Sequence, residues 1–196
     1  MLIAPFGNSF GEELRISLVT NTIDFAKFHC GVDEMDNFIH RELIHSVTNN
    51  FCKLYKVTTH EQVVALFALT FDSLYLDTDD KEDLKRFSGI SISQSYSETF
   101  WNKHHYPALE ISYLAVLKEM QGQKLGAFLI DRIAEKATTQ TFAGCQFLTV
   151  EALAGHQPTY NAVGFYLKQN FTPCEYPNPA KGTLRMFRPL YYSPKA

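Results

Sequence analysis

One stretch restricts the folds open to this chain more than any other. Ala108 to Val116 is an apolar run with β-branched and aromatic residues, followed by Leu117 to Met120 and then by Gln121 to Ile130. The run is long enough for a buried strand. From Leu125 onward, Leu125, Leu129, Ile130, Ile133 and Ala137 recur at helical spacing, with Asp131, Arg132, Glu135 and Lys136 elsewhere on the turn. The stretch is therefore strand, short loop, helix, with Gly122 and Gly126 at the junction. A glycine-containing turn feeding a helix leaves backbone N–H groups pointing one way. Together with the positive end of the helix dipole they suit an anion such as a pyrophosphate. Taken alone, a Gly-x-x-x-Gly turn also serves as an ordinary strand-to-helix connection.

The rest of the chain supplies the other parts of a layered α/β domain. Residues 1–12, with Gly7, Asn8 and Gly11, look like a loose arm, and Leu14, Ile16 and Leu18 alternate with Arg15, Ser17 and Val19 as a first strand. Cys30 to Ile39 opens a helix whose acidic residues Asp33, Glu34 and Asp36 sit where the dipole favours them, with Val32, Met35, Phe38, Ile39 and Leu43 as its buried stripe. Phe51 to Val57 and Val63 to Phe71 predict two strands joined by a hairpin at Thr58 to Glu61. The second is almost wholly apolar, as a strand covered on both faces should be.

Asp72 to Tyr106 is too long for a simple connection. Its Asp77, Asp79, Asp80, Glu82 and Asp83 are either a solvated helix start or a lid that would favour a cationic amine. Adjacent His104 and His105 lack acidic or cysteine partners at ligand spacing, so no metal is expected. Gln146 to Ala152 predicts a further strand, and parallel pairing with the preceding one needs a crossover helix, which Ala127 to Ala137 supplies. Gln157-Pro158-Thr159 suggests the start of another helix, Pro173, Pro177 and Pro179 a loop, and Thr183 to Leu190 a last strand before a loose tail.

A length of 196 residues fits one domain, here 1–196 with an insertion at about 72–106. A net charge of -3 gives no global basic field and argues against a nucleic-acid partner, though it does not remove one. Cys30, Cys52, Cys145 and Cys174 are scattered as in a protein with reduced thiols, and no run approaches a membrane span or a secretory leader. A cytoplasmic protein without a membrane partner is the expectation, and a homodimer is compatible with it.

Glu110-Ile111-Ser112-Tyr113-Leu114-Ala115-Val116 followed by Gln121-Gly122-Gln123-Lys124-Leu125-Gly126 resembles the acyl-CoA site of the GNAT superfamily of N-acetyltransferases. In that family the loop is written Gln/Arg-x-x-Gly-x-Gly/Ala. Gln121 and Gly126 match its ends, while Lys124 stands where the first glycine is usual. Tyr160 to Phe171 resembles the family's Ala-x-x-Phe-Tyr-x-x-x-Gly-Phe segment, with Asn170 in place of glycine, a mild exchange at a left-handed helix end. Phe28-x-Cys30-Gly31-Val32-x-x-Met35-Asp36-x-Phe38 resembles the opening of a branch that includes bacterial tRNA-acetylating toxins.

The resemblance implies a GNAT fold, a mixed and largely antiparallel sheet with helices on both faces and splayed central parallel strands. It implies acetyl-CoA as co-substrate, held by Leu114, Ala115 and Val116, by Gln121, Gly122, Gln123, Lys124, Leu125, Gly126 and Ala127, and by Asn161. Amides near Leu114 to Val116 would face the thioester oxyanion. Glu110 occupies the place of the general base, or else lines the acceptor pocket, and Tyr166 that of the general acid, or else packs beneath the last strands. The acceptor would be a primary amine on a small molecule, protein or peptide, attacked directly in a ternary complex. Aminoacyl-tRNA, as in a toxin–antitoxin pair, and a non-catalytic CoA-binding module are the alternatives.

Overall fold

The computed structural model describes residues 2–5, of which only the backbone is considered, and residues 13–19, 27–60, 62–87, 92–140, 142–155, 161–174 and 182–190. Its strands are β1 (Leu2–Pro5), β2 (Glu13–Leu18), β3 (Lys53–Thr59), β4 (Gln62–Tyr75), β5 (His105–Val116), β6 (Phe147–Leu153), β7 (Thr172–Pro173) and β8 (Thr183–Pro189). Its helices are α1 (Asp33–Arg41), α2 (Leu43–Thr48), α3 (Thr78–Phe87), α4 (Gln94–Asn102), α5 (Leu125–Thr139) and α6 (Val163–Leu167), with a turn of 3₁₀ helix at Lys118–Met120. The strands follow the order β1-β2-β3-β4-β5-β6-β8-β7 in one sheet. β5 and β6 run parallel, and the pairs β1–β2, β2–β3, β3–β4, β6–β8 and β7–β8 are antiparallel. The mixed, largely antiparallel α/β arrangement expected from the sequence is thus observed.

The chain forms two compact units, Met1–Thr70 with Ile111–Ile130, and Phe71–Glu110 with Asp131–Ala196. In the first, α1 buries Ile39 against Leu43, Leu54, Leu66 and Tyr113, and Val32, Met35 and Phe38 pack on the same core. The predicted stripe thus forms, because those positions repeat at helical spacing on one side. Tyr113 on β5 donates its hydroxyl to the Met35 carbonyl at 2.9 Å, fixing α1 to the strand. The β3–β4 hairpin turns at His60, whose φ is 44°, with Thr59 opposite Gln62. Val64 to Ala68 are buried, as a strand without polar positions requires.

In the second unit the core is aromatic. Tyr106 and Phe147 meet at 5.4 Å between centroids, and Phe147 meets Phe187 at 6.0 Å, both edge to face. Burial pushes the Tyr106 phenol up to about 12, so its hydroxyl remains a donor, to the Phe100 carbonyl at 2.7 Å.

Several expectations are corrected. Within the presumed loose arm, Leu2–Pro5 is a strand paired with Glu13 to Ile16, since edge pairing is made by the main chain and needs no side-chain pattern. On β2, Leu18 is exposed and Val19 buried, so the alternation slips at the strand end. β4 does not stop at Phe71 but runs to Tyr75, and the stretch to Tyr106 is filled by α3, α4 and the start of β5. Asp79 and Asp80 lie in the first turn of α3, where a helix dipole favours acidic residues, although burial and then the neighbouring Asp77 push the Asp80 carboxyl above the ordinary carboxylate value. Pro173 belongs to β7 rather than to a loop. The Gln157-Pro158-Thr159 helix start, Pro177, Pro179 and the tail fall outside the described residues.

Candidate coenzyme loop and acid–base residues

The first unit carries the loop. β5 ends at Val116, the 3₁₀ turn follows, and α5 starts at Leu125. Leu125, Leu129, Ile130, Ile133 and Ala137 are all buried, which seats the helix and aims its N-terminus. The helix's first external bond runs from the Phe128 amide to the Lys124 carbonyl at 3.0 Å. Among the described residues, the backbone amides from Gly122 to Ala127 donate to no other group. This is the anion-binding geometry of a helix start.

Gly122 has φ 76° and Lys124 φ 65°. The lysine therefore adopts the left-handed angle that glycine would take there, with its side chain exposed. The substitution keeps the loop's path at a cost of roughly 1–2 kcal/mol of local strain.

Two other loop side chains are spent on holding the loop. The Gln121 amide donates through Nε2 to Cys30 O at 2.7 Å and to Val116 O at 3.0 Å. Gln123 Nε2 donates to Glu119 O at 3.2 Å, while its buried Oε1 finds no partner among the described residues.

β5 changes phase within its length. Tyr106 and Ala108 are buried at even positions, but Ile111, Tyr113 and Ala115 at odd ones. The hydrogen bonds say the same. Pro107 O accepts from Gln146, on the β6 side, whereas Leu117 N donates to Val64 O on β4, although both positions are odd and regular alternation would aim them at one neighbour. From the Leu117 bond, alternation along the strand turns the Ala115 amide towards β4 and the amides of Leu114 and Val116 towards the opposite edge.

The turn before α1 is joined to this loop. Asp36 Oδ1 accepts from Cys30 N at 2.8 Å and Oδ2 from Gly31 N at 3.1 Å. Burial acts to raise its pKa, but those amides, the Cys30 thiol and nearby His29 outweigh it and hold the carboxyl below the ordinary carboxylate value. The His29 ring lies 3.9 Å away.

The second unit carries the two acid–base candidates. Glu110 stands opposite Thr149 in the parallel register, so the two share a face of the sheet. On β6 and β8 that face continues through Glu151 and its partner Arg185. Arg185 donates to Asp72 at 2.6 Å and to Glu151 at 3.3 Å, Thr149 donates to Asp72, and Thr183 donates to Glu151 at 2.9 Å. Carboxylates thus outnumber the guanidinium on this face.

Tyr166 is buried on α6, edge to face with Phe165 and Phe171, and the turn that follows the helix holds Asn170 at φ 62°, as glycine would allow. Asn161 is exposed, and its Oδ1 accepts from Val163 N at 2.8 Å, a local cap for α6. Asp72 and Arg185 escape sequence reading because they lie 113 residues apart and neither is part of a motif. Burial pushes the Cys30 thiol up to about 11 and the Cys174 thiol to about 12, so neither is a thiolate at neutral pH. Among the described residues no group of three His, Cys, Asp or Glu side chains is arranged to hold a metal ion.

Two stability measurements check this geometry. Lys124→Gly should leave stability within ~1 kcal/mol of the parent, because relief of strain offsets the added chain entropy. Lys124→Val, β-branched at a left-handed angle, should cost about 1–2 kcal/mol in urea titrations. A valine variant as stable as the parent would refute the left-handed assignment. For Asp36, the folded pKa lies below the unfolded one, so its ionisation stabilises the fold above about pH 4, and this contribution is lost as pH falls through the folded value. The stability gap between parent and Asp36→Asn should therefore be constant from about pH 7 to 5 and shrink below about pH 4. A gap that holds its size down to about pH 2 would contradict it.

A family model described as the acetyltransferase (GNAT) family matches residues 53–171, more than half of the chain. Among curated protein sequences, none matches. Solved structures do. A tyrosine-to-phenylalanine mutant of KacT has a TM-score of 0.65 at 18% identity, over 90% of this chain and 95% of that one. A mutant of the toxin AtaT bound to the C-terminus of the antitoxin AtaR and acetyl-CoA gives 0.60 at 18%, over 90% and 93%. AtaT complexed with acetyl-methionyl-tRNAfMet gives 0.60 at 21%, over 90% and 94%. At such identities these likenesses speak for the fold alone. The family match, with the strand, loop and helix that carry it, makes this chain an acetyltransferase of the GNAT family.

Proposed function

We propose that the protein transfers an acetyl group from acetyl-CoA to a primary amine by direct attack in a ternary complex. The observation that carries this reading is the run of amides from Gly122 to Ala127 at the start of α5, unspent among the described residues. Those amides and the helix dipole would take the pyrophosphate of the coenzyme, as no neutral ligand would require. The Lys124 side chain adds a cation beside it.

The Leu114 and Val116 amides, directed away from β4, would accept the oxyanion that develops on the thioester carbonyl. Glu110 would take the proton from an amine whose intrinsic pKa is about 10.4, and Tyr166 would return one to the departing thiolate. An acetyl-cysteine intermediate is disfavoured by thiols held at about 11 and about 12. Asn161, engaged in capping α6, would contribute to the coenzyme through its backbone or after a change of partner.

On the acceptor side, Glu110 shares its face with Asp72, Thr149, Glu151 and Arg185, which favours an acceptor that arrives as an ammonium ion. An aminoacyl-tRNA, whose reacting group is such an amine, is the second reading. It is favoured by the fold shared with AtaT, which is known complexed with acetyl-methionyl-tRNAfMet. The net charge of -3 weighs against it.

The deciding experiment is acetyl-CoA consumption across polyamines, amino acids, peptides, aminoglycosides and aminoacyl-tRNA, with growth on expression scored in parallel. Turnover on none of these, with coenzyme still bound, would turn the protein into a CoA-binding module. Tyr166→Phe should lower turnover at least ~10-fold with CoA affinity nearly unchanged, and an unaltered rate would remove it from the chemistry. Glu110→Gln should move the rate–pH profile to higher pH, because deprotonation of the amine then falls to solvent. An unmoved profile would leave Glu110 a structural residue.

A further inference from the structure

The coenzyme loop does not stand on its own helix alone. Its first residues hang on the turn that precedes α1, by three separate ties. The Lys118 amide donates to the His29 carbonyl at 3.0 Å, where the 3₁₀ turn begins. Gln121 Nε2 donates to the Cys30 carbonyl at 2.7 Å, and the same nitrogen donates to Val116 at the end of β5. The stem of Lys118 lies against Gly31 so closely that a Cβ there would meet Lys118 Cδ at 2.8 Å.

The turn at 29–31 is in turn shaped by one carboxylate. Asp36, in the first turn of α1, takes the Cys30 amide on one oxygen at 2.8 Å and the Gly31 amide on the other at 3.1 Å. Gly31 has φ 80°, so these adjacent amides converge only because the chain enters the left-handed region there. α1 itself is fixed, by the Tyr113 hydroxyl on Met35 O at 2.9 Å and by the His40 ring 3.0 Å from Phe28 O. Two charge-assisted bonds thus connect a fixed helix to the turn, and the turn's carbonyls hold the loop.

We infer that Asp36 is a positioning residue for acetyl-CoA: through the turn at 29–31 it sets where the loop from Gln121 to Ala127 presents its amides. The inference rests on the proposal that this loop seats the pyrophosphate. Removing the carboxylate frees the turn, lets Gln121 lose Cys30, and leaves the loop amides to reorganise on binding. Because pyrophosphate is bound alike before and during acetyl transfer, the loss belongs in coenzyme affinity and not in the chemical step.

The test is Asp36→Ala and Asp36→Asn, with calorimetric titration of CoA and steady-state kinetics on the acceptor found in the screen. Asp36→Ala should raise the Kd for CoA and the KM for acetyl-CoA about 10-fold, with kcat at saturating coenzyme within about twofold. Asp36→Asn keeps one acceptor oxygen and should fall between the parent and the alanine variant; it carries the test if Asp36→Ala does not fold. Val47→Ala, which thins the same core without touching the turn, controls for lost stability and should leave Kd unchanged. A folded Asp36 variant with parental Kd and KM overturns the inference, as does an equal rise in Val47→Ala. Gly126→Glu, which brings a carboxylate into the loop, should abolish CoA binding. If it does and the Asp36 variants bind normally, only the role of Asp36 fails; if Gly126→Glu binds like the parent, the loop is not the pyrophosphate seat and the role of Asp36 falls with it.

Discussion

The first unit depends on one side-chain amide. Gln121 spans the carbonyls of Cys30 and Val116, so the end of β5, the turn before α1 and the start of the loop are held by the same nitrogen. The bond to Cys30 is partly buried and the bond to Val116 is exposed, so the first contributes more than the second. Around it the chain has little freedom. The 3₁₀ turn closes through Met120 on Leu117, and the Phe128 amide closes on Lys124. What remains open is the row of amides between them. Its openness is a product of the ties on either side, because a loop free to move would satisfy its own donors.

The second unit is organised by charge rather than by main-chain ties. Arg185 faces two carboxylates, Glu151 on the adjacent β6 and Asp72 on β4, and Thr149, fully buried, adds a hydroxyl donor to Asp72. A guanidinium suits this task because its planar fork serves two acceptors at once. The array also gives partners to an aspartate that lies within β4, one residue past the exposed Phe71. Glu110, opposite Thr149 in the parallel register, stands on the same face as this array.

Much of this was legible in the sequence, for identifiable reasons. The stripe of α5 and the apolar centre of β4 are set by spacing and composition, which act locally. Asn170 could be read as a left-handed helix end because asparagine is the usual alternative to glycine there. Lys124 could not be settled in that way: a lysine at a glycine position leaves open whether the angle or the residue gives way, and it is the angle that is kept. The stretch from Asp72 to Tyr106 resisted reading because α3 carries few apolar positions and Asp72 finds its partner in Arg185, far along the chain. The strand at Leu2–Pro5 was hidden since its pairing is made by backbone groups. The contacts made by Gln121 and Asp36 were hidden for a related reason. Both look like residues for a ligand or a helix start, and both act on carbonyls or amides that no sequence pattern displays.

The sheet's two outermost strands each include a proline, Pro5 in β1 and Pro173 in β7, and β7 has only two residues. Proline offers no N–H to an incoming chain, and so short a border gives a foreign strand almost nothing to register against. Growth of the sheet by lateral addition of further polypeptide is thereby discouraged on both flanks. Any assembly of this protein, with itself or with another chain, would then have to be built from side chains and helices, not by lengthening the ladder.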